Sequence, residues 1–103
     1  MMTTRIGLAD DGGVVTIAPG GLVELALPEN AGTGYRWALD PLPPGSELVE
    51  DRLERGALAV GPGAMATRVF VVSVTQPGLL SARLQREWET TAVRAFSIQI
   101  ELE

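Results

Sequence analysis

Short runs in which apolar residues alternate with polar ones constrain the fold of this chain more than any other feature. Val23, Leu25 and Leu27 share one face of a run that begins at Leu22, and residues 96–102 alternate in the same way. A period of two places alternate side chains on opposite faces of a β-strand, whereas an amphipathic helix repeats its apolar residues about every 3.6 positions. The pattern therefore predicts strands that each bury one face.

Segments rich in glycine and proline separate these runs. They lie at residues 10–13, 19–21, 40–45 and 76–78, so that turn signals recur about every eight to twelve residues, as is typical of sandwiches. No run has the spacing of an amphipathic helix. A length of 103 residues suits one hydrophobic core, so we expect a single domain over residues 1–103. The predicted fold class is all-β, an immunoglobulin-like antiparallel β-sandwich of about seven to eight strands.

Some of the expected strands rest on clearer patterns than others. Pro28 is expected to end the run from Leu22, because proline cannot donate to a sheet. Residues 47–54 fit a short helix or an irregular edge strand, and the strand is favoured because every neighbour is a strand. The run that begins at Leu80 is expected to form a hairpin with the strand before it. The expected strands cover residues 5–8 at an edge, 14–18, 22–27, 35–39, 47–54, 68–75, 80–85 and 96–102.

The composition excludes several kinds of chemistry. The chain has no cysteine and no histidine, which removes disulfides, thiolate ligands, cysteine nucleophiles and the Ser-His-Asp arrangement. Adjacent Asp10 and Asp11 could suggest a calcium or carboxylate site, but the further oxygen ligands are missing and a turn is favoured. We expect no catalytic residue, no metal site and no cofactor, and an enzyme is the weakest of the functional hypotheses.

The charge and the hydropathy limit the partners. Thirteen acidic and eight basic residues, all of them arginine, give a net charge of −5, so nucleic acid is not expected as a partner. No apolar run approaches the length of a membrane span, and we expect a monomer without membrane contact. The N-terminal residues do not resemble a signal peptide, which leaves the compartment open and slightly favours the cytoplasm.

Three segments differ from simple turns. Residues 30–34 and 59–64 are rich in glycine and poor in side chains that could pack. Tyr35 and Trp37 follow the first of them and are expected to anchor a strand in the core. Trp88 lies among charged residues in a turn, where surface recognition is favoured over burial. For Gly61 and Gly63, a plain hairpin turn is as good an interpretation as a binding loop.

The same segments resemble the motifs of the chagasin-type inhibitors of papain-like cysteine proteases, which carry NPTTGYxW-like, GxGG-like and R-P-[WF] motifs on three adjacent loops. The residues N-A-G-T-G-Y-R-W at 30–37, G-P-G-A at 61–64 and R-E-W at 86–88 follow them in order and spacing. The resemblance covers about residues 19–102. It assigns Asn30, Ala31, Gly32, Thr33 and Gly34 to loop 1, Gly61, Pro62, Gly63 and Ala64 to loop 2, and Arg86, Glu87 and Trp88 to loop 3.

The resemblance implies reversible, competitive inhibition without covalent chemistry, in which the three loops block the active-site cleft of a papain-like cysteine protease. Ala31, Gly32, Ala64 and Glu87 depart from the family pattern. The first two are expected to make loop 1 less rigid, and Glu87 adds a charge to the expected interface. The alternative hypothesis is a non-inhibitory protein-binding module that uses the same loops.

Overall fold

The computed structural model describes residues 3–30, 32–55 and 65–103. These residues form eight strands and a short 3-10 turn, Leu8–Asp10. The strands are β1 (Thr3–Gly7), β2 (Val14–Ile17), β3 (Leu22–Asn30), β4 (Tyr35–Leu39), β5 (Ser46–Arg55), β6 (Met65–Val74), β7 (Gly78–Arg86) and β8 (Arg94–Leu102).

The strands form two four-stranded sheets that enclose one core. Sheet A has the order β1-β3-β6-β5, and sheet B has the order β2-β8-β7-β4. The predicted all-β sandwich is confirmed, and the predicted faces are the buried ones. The largest fully buried side chains include Phe96, Leu25, Leu27, Leu80 and Ile98. These residues come from both sheets, so the core lies between the sheets and is built from their facing apolar sides.

Both sheets are mixed rather than purely antiparallel. β1 runs parallel to β3, with Thr3 opposite Leu22, and β2 runs parallel to β8, with Val14 opposite Gln99. Between β1 and β2 the chain passes through the 3-10 turn and Gly12, whose φ is +77°, into the other sheet. Because β1 and β2 lie in different sheets, they cannot pair as a hairpin, and each joins an open sheet edge.

The carboxylates of the first turn bond to backbone amides. The Gly7 N–H donates to Asp10 Oδ2 at 2.9 Å, and the Ser97 N–H donates to Asp11 Oδ1 at 2.9 Å. Asp10 therefore stabilises its own turn, as aspartate does in turns, and Asp11 bonds the turn to β8. The interpretation of residues 10–13 as a turn is confirmed.

Pro28 does not end its strand, contrary to the sequence prediction. β3 continues to Asn30, and Pro28 lies opposite Thr67 of β6. The Pro28 carbonyl accepts the indole N–H of Trp37 at 2.8 Å, so it points away from β6. Since the amide nitrogen and carbonyl of one strand residue face the same side, the nitrogen of Pro28 also faces away from β6. The proline therefore removes no hydrogen bond from the β3–β6 ladder.

The predicted hairpin between the strand before residue 76 and the run from Leu80 is wrong. β6 already lies between β3 and β5, so both of its edges are occupied, and β7 instead pairs with β4 and β8 in sheet B. The proline-rich segment 40–45 crosses between the sheets as predicted and runs beside this second crossing. The Thr75 N–H donates to the Gly45 carbonyl at 2.8 Å, so the two crossings support each other.

The weaker predictions at the sheet edges hold. Residues 47–54 lie in β5, an edge strand of sheet A with a register shift between Leu48 and Glu50. The first expected strand is present as β1, at the other edge of the same sheet. A bulge and charged side chains are common protections of an exposed edge. Within the described ranges, no helix is long and apolar enough to cross a membrane.

We predict that Leu25→Ala lowers the free energy of unfolding by about 2–5 kcal/mol, because Leu25 is fully buried and its truncation leaves a cavity. Leu79→Ala is the matched control: Leu79 is 53% exposed, and we expect a change within about 0.5 kcal/mol. Urea denaturation followed by circular dichroism measures both values. Equal losses in the two variants would contradict this assignment of the core.

Candidate functional site

The strand registers bring the strand ends that flank the three motifs to one end of the sandwich. Asn30, the last residue of β3, lies opposite Met65, the first residue of β6, and Arg55 at the end of β5 lies opposite Ala66. In sheet B, Tyr35 at the start of β4 lies opposite Arg86 at the end of β7. Because residues 31–34 join Asn30 to Tyr35, both sheets contribute to this end.

In chain order, loop 1 follows β3, the segment with loop 2 follows β5, and loop 3 begins at the last residue of β7. Ala31 of loop 1 and all of loop 2, Gly61, Pro62, Gly63 and Ala64, lie outside the described residues. The strands that flank residues 56–64 end at the same end of the sandwich as loop 1. The described part of the site is therefore loop 1, loop 3 and these flanking strand ends.

Loop 1 is organised by hydrogen bonds among its own residues. Asn30 Oδ1 accepts the N–H of Gly32 at 3.0 Å, and the Asn30 carbonyl accepts the hydroxyl of Thr33 at 3.0 Å and its N–H at 3.3 Å. The Thr33 hydroxyl also accepts the N–H of Tyr35 at 3.3 Å. These bonds form an asparagine-initiated turn. Gly32 and Thr33 are exposed at its tip, so a folded backbone with small side chains is presented to solvent.

Arg86 of loop 3 lies between two aromatic rings. Its Cζ is 4.4 Å from the ring centroid of Tyr35 and 5.7 Å from that of Trp88, both within the range of cation–π contacts. The guanidinium also pairs with Glu89 at 3.3 Å. Tyr35 is half-buried and lies outside the core, so the expectation of a core residue is met by Trp37, which is 4% exposed, and not by Tyr35. The difference arises because Tyr35 lies at the sandwich end, next to Arg86.

Trp88 is the most exposed of the large apolar side chains in the described residues, at 72%. Its exposure agrees with the sequence prediction. A Cβ built on Gly34 would lie 3.4 Å from Trp88 Cη2, and the φ of Gly34 is +82°. Loop 1 and loop 3 therefore lie against each other at Gly34, whose positive φ favours glycine. Glu87, the remaining residue of loop 3, is exposed.

Glu29 is a functional candidate that the sequence analysis missed. It lies directly before loop 1 and is only 2% exposed. Its Oε1 accepts the backbone N–H of Trp37 at 2.7 Å. Trp37 belongs to β4, one of the two edge strands of sheet B. Glu29 therefore accepts a backbone N–H on the open side of that strand, where sheet B, among the described residues, has no further strand to bond it. The carboxylate thus joins the two strands on either side of loop 1.

Arg68 holds the same carboxylate from the other side. Its Nη2 lies 2.9 Å from Glu29 Oε2, and its Nη1 lies 3.2 Å from Asp51 Oδ1. The hydrogen bond to Glu29 raises the pKa of the Arg68 guanidinium above its ordinary value, against the opposing effect of burial. The guanidinium therefore stays charged and compensates the buried carboxylate.

A sequence signal for this pair existed in the alternation. Glu29 continues the inward positions of Leu25 and Leu27, and Arg68 precedes the inward positions of Phe70 and Val72 in the same parity. A charged residue at an inward position requires a partner. The partner itself could not be read from the sequence, because 39 positions separate the two residues.

The site offers recognition chemistry rather than catalytic chemistry. Within the described parts of the chain, no group of three or more His, Cys, Asp or Glu side chains is placed to hold a metal ion. Exposed apolar side chains at this end include Met65 and Val93 in addition to Trp88. A polar recess of about 220 Å³ beside loop 1 is lined by Glu29, Gly34, Tyr35, Arg36, Leu53, Arg55 and Arg68. Aromatic, guanidinium and small residues side by side are typical of a protein-binding surface.

Solved structures with a similar fold cover nearly the whole chain. The cysteine protease inhibitor EhICP2 from Entamoeba histolytica is 17% identical, with a TM-score of 0.83 over 99% of this chain and 96% of that one. Amebosin is 20% identical, with a TM-score of 0.75 over 100% and 99% of the two chains. PbICP-C, in a structure with falcipain-2, is 15% identical, with a TM-score of 0.63 over 100% of both chains. At these identities the likeness establishes the fold.

No curated protein matches the sequence significantly. The family model described as "Chagasin family peptidase inhibitor I42" matches residues 16–100. That range includes all three motif segments, and it confirms the resemblance that they suggest. The matched family consists of inhibitors rather than enzymes, and this chain belongs to the chagasin family of peptidase inhibitors.

Proposed function

We propose that this protein is a reversible, competitive inhibitor of papain-like cysteine proteases and that loops 1, 2 and 3 bind the active-site cleft of the enzyme. The observation that carries the proposal is the contact between the two described loops at one end of the sandwich, where Trp88 is exposed against Gly34. The similar structures of EhICP2, a cysteine protease inhibitor, and of PbICP-C with falcipain-2 support the class of target.

Loop 1 suits the centre of a narrow cleft. Gly32 and Thr33 are exposed and small, so the backbone can approach the catalytic residues of an enzyme closely. The bonds from Gly32 and Thr33 to Asn30 keep this backbone folded as a turn. Proteases cleave segments that bind in an extended conformation, so a loop held as a turn fills the cleft without presenting a bond for cleavage.

Loop 3 supplies the apolar anchor beside that loop. Trp88 offers a large exposed ring. Tryptophan is one of the residue types that are enriched among binding hot spots. Arg86 lies against both Tyr35 and Trp88, which limits the conformations of the anchor before binding. A pre-ordered side chain loses less entropy on docking. Exposed Glu87 adds a negative charge next to the anchor and favours enzymes with a basic cleft rim.

We expect Trp88→Ala to raise the inhibition constant about 30- to 700-fold, the equivalent of about 2–4 kcal/mol for a buried aromatic anchor. Thr33→Arg should abolish inhibition, because a long charged side chain prevents loop 1 from entering the cleft. Titration of papain and related enzymes with each variant measures these effects. Leu79→Ala is the control, since Leu79 is exposed on the same strand as Arg86 but at its opposite end.

Two results would contradict the proposal. One is a parent protein that fails to inhibit several papain-like enzymes at micromolar concentration; if it binds them without inhibition, the protein is a non-inhibitory binding module. The other is equal weakening by Leu79→Ala and Trp88→Ala, because the loop end would then not be the binding surface.

Gly34→Ala should test the contact between loops 1 and 3. A Cβ at a φ of +82° costs about 1–2 kcal/mol, and this one would also lie in van der Waals contact with the Trp88 ring. Gly12→Ala is a matched control with a φ of +77° and open space around the Cβ. We expect similar losses of stability in urea denaturation, with a change in Trp88 fluorescence and weaker inhibition only for Gly34→Ala. Unchanged Trp88 emission in Gly34→Ala would argue against the contact.

A further inference from the structure

We propose that Glu29, Arg68 and Asp51, which we call the loop clamp, position loop 1 for binding. Glu29 is a positioning residue in this inference: its carboxylate sets the geometry of the two strands from which loop 1 projects, and it need not touch the enzyme. The inference rests on the proposed function, since it assigns a role to residues behind the same binding loops.

The first step concerns the strands on either side of loop 1. β3 and β4 belong to different sheets, so no ladder of hydrogen bonds joins them. The Trp37 N–H on β4 donates to Glu29 Oε1 at 2.7 Å, and the Trp37 indole donates to the Pro28 carbonyl at 2.8 Å. These two bonds set the separation and angle between the strands. A shift at this point would move the exposed tip of loop 1.

The second step concerns the orientation of the carboxylate. Arg68 Nη2 binds Glu29 Oε2 at 2.9 Å, while Arg68 Nε reaches Oε1 at 3.4 Å. The planar guanidinium therefore contacts both oxygens, which restricts rotation of the carboxylate. Asp51 holds Arg68 Nη1 at 3.2 Å. Since Asp51 lies on β5 and Arg68 on β6, the loop clamp also links loop 1 to the strands that flank residues 56–64.

The third step concerns why Glu29 and Arg68 are charged although they lie at inward positions. A gain in the free energy of unfolding does not explain this choice. A buried ion pair is often no more stabilising than apolar residues of similar size. Apolar residues at positions 29 and 68 would continue the inward faces that Leu27 and Phe70 already form. They could not accept the Trp37 N–H, however, nor fix a direction between the sheets. The hydrogen bond from the Trp37 N–H to Glu29 has a preferred direction, which favours a role for Glu29 in fixing the relative position of β3 and β4.

Three variants and one control test the loop clamp, with papain as the probe enzyme. Glu29→Ala removes the acceptor, so we expect its inhibition constant to rise about tenfold or more. Glu29→Gln keeps one oxygen that can accept the Trp37 N–H but turns its amide NH2 toward the Arg68 guanidinium, which can only donate, so we expect it to weaken inhibition less than Glu29→Ala does. Arg68→Lys keeps the charge but loses the planar contact to both oxygens, and an intermediate weakening is expected.

Glu24→Ala is the control. Glu24 lies on the same strand as Glu29 and pairs with Arg52 at 2.9 Å and Arg5 at 3.0 Å. The hydrogen bond from Arg52 lowers the pKa of the Glu24 carboxyl, so Glu24 is a charged partner of arginine, as Glu29 is. Glu24→Ala therefore removes a similar ion pair at a different place on β3. Glu24 lies opposite Val71, far along β3 from loop 1. We expect no change in inhibition and no movement of loop 1 amide resonances.

Amide resonances in NMR spectra separate this inference from the proposed function. Glu29→Ala should shift the amides of Gly32, Thr33 and Trp37 most, and Arg68→Lys and Glu29→Gln should shift the same amides less. Folded Glu29→Ala with parental inhibition and parental loop 1 resonances would overturn the inference, as would equal weakening by Glu24→Ala. If Glu29→Ala does not fold, the same criteria apply to Arg68→Lys. If the parent inhibits neither papain nor the related enzymes, the proposed function fails and the loop 1 resonances alone decide whether the loop clamp positions the loop.

Discussion

The two apolar sheet faces stabilise the fold by burying each other. Leu25 and Leu27 from sheet A meet Leu80, Phe96 and Ile98 from sheet B, and all five are essentially inaccessible to water. Each such side chain contributes about 1.5–3 kcal/mol by its removal from water. A core of this kind is non-directional, so it holds the sheets together without specifying the position of the loops at their ends.

The end of the sandwich is where directional interactions take over. Trp37 extends the core toward loop 1, and Glu29 and Arg68 close it with a charged pair that bonds to the Trp37 backbone. Beyond this pair the exposed surface begins, with Gly34 against the ring of Trp88. The order from apolar core to ion pair to exposed loops allows a rigid scaffold to present residues that stay largely exposed in the free protein.

Much of the fold could be predicted from local patterns, and the errors have one cause. The alternation at Val23, Leu25 and Leu27 predicts a strand and its buried face, whichever strand it pairs with. It does not predict the pairing partner, so β7 was expected beside β6 although it lies in the other sheet. The sequence predicts that Pro28 ends its strand. In the structure β1 pairs with β3 only as far as Ala26, so Pro28 faces a side of β3 that has no neighbouring strand in the described part of the chain, and a local pattern cannot show this.

The site divides in the same way. The motif residues of loops 1 and 3 were visible as a linear pattern, and the family match over residues 16–100 agrees with them. Glu29 and Arg68 were not assigned, because a charge at an inward position becomes meaningful only when its partner is known. Tyr35 was expected in the core together with Trp37 and instead lies beside Arg86, since the strand start is at the edge of the core.

Neighbouring residues are enough to predict the strands, their buried faces, the absence of thiol and imidazole chemistry, and the residue types of the loop segments. Those properties depend on neighbours in the chain, and a period of two or a missing residue type can be read directly. The tertiary structure decided which strands share a sheet, that loop 1 lies against loop 3, and that Glu29 is paired with Arg68 across 39 positions. Those properties depend on which distant segments meet, and that is selected by packing of the whole core rather than by any local pattern.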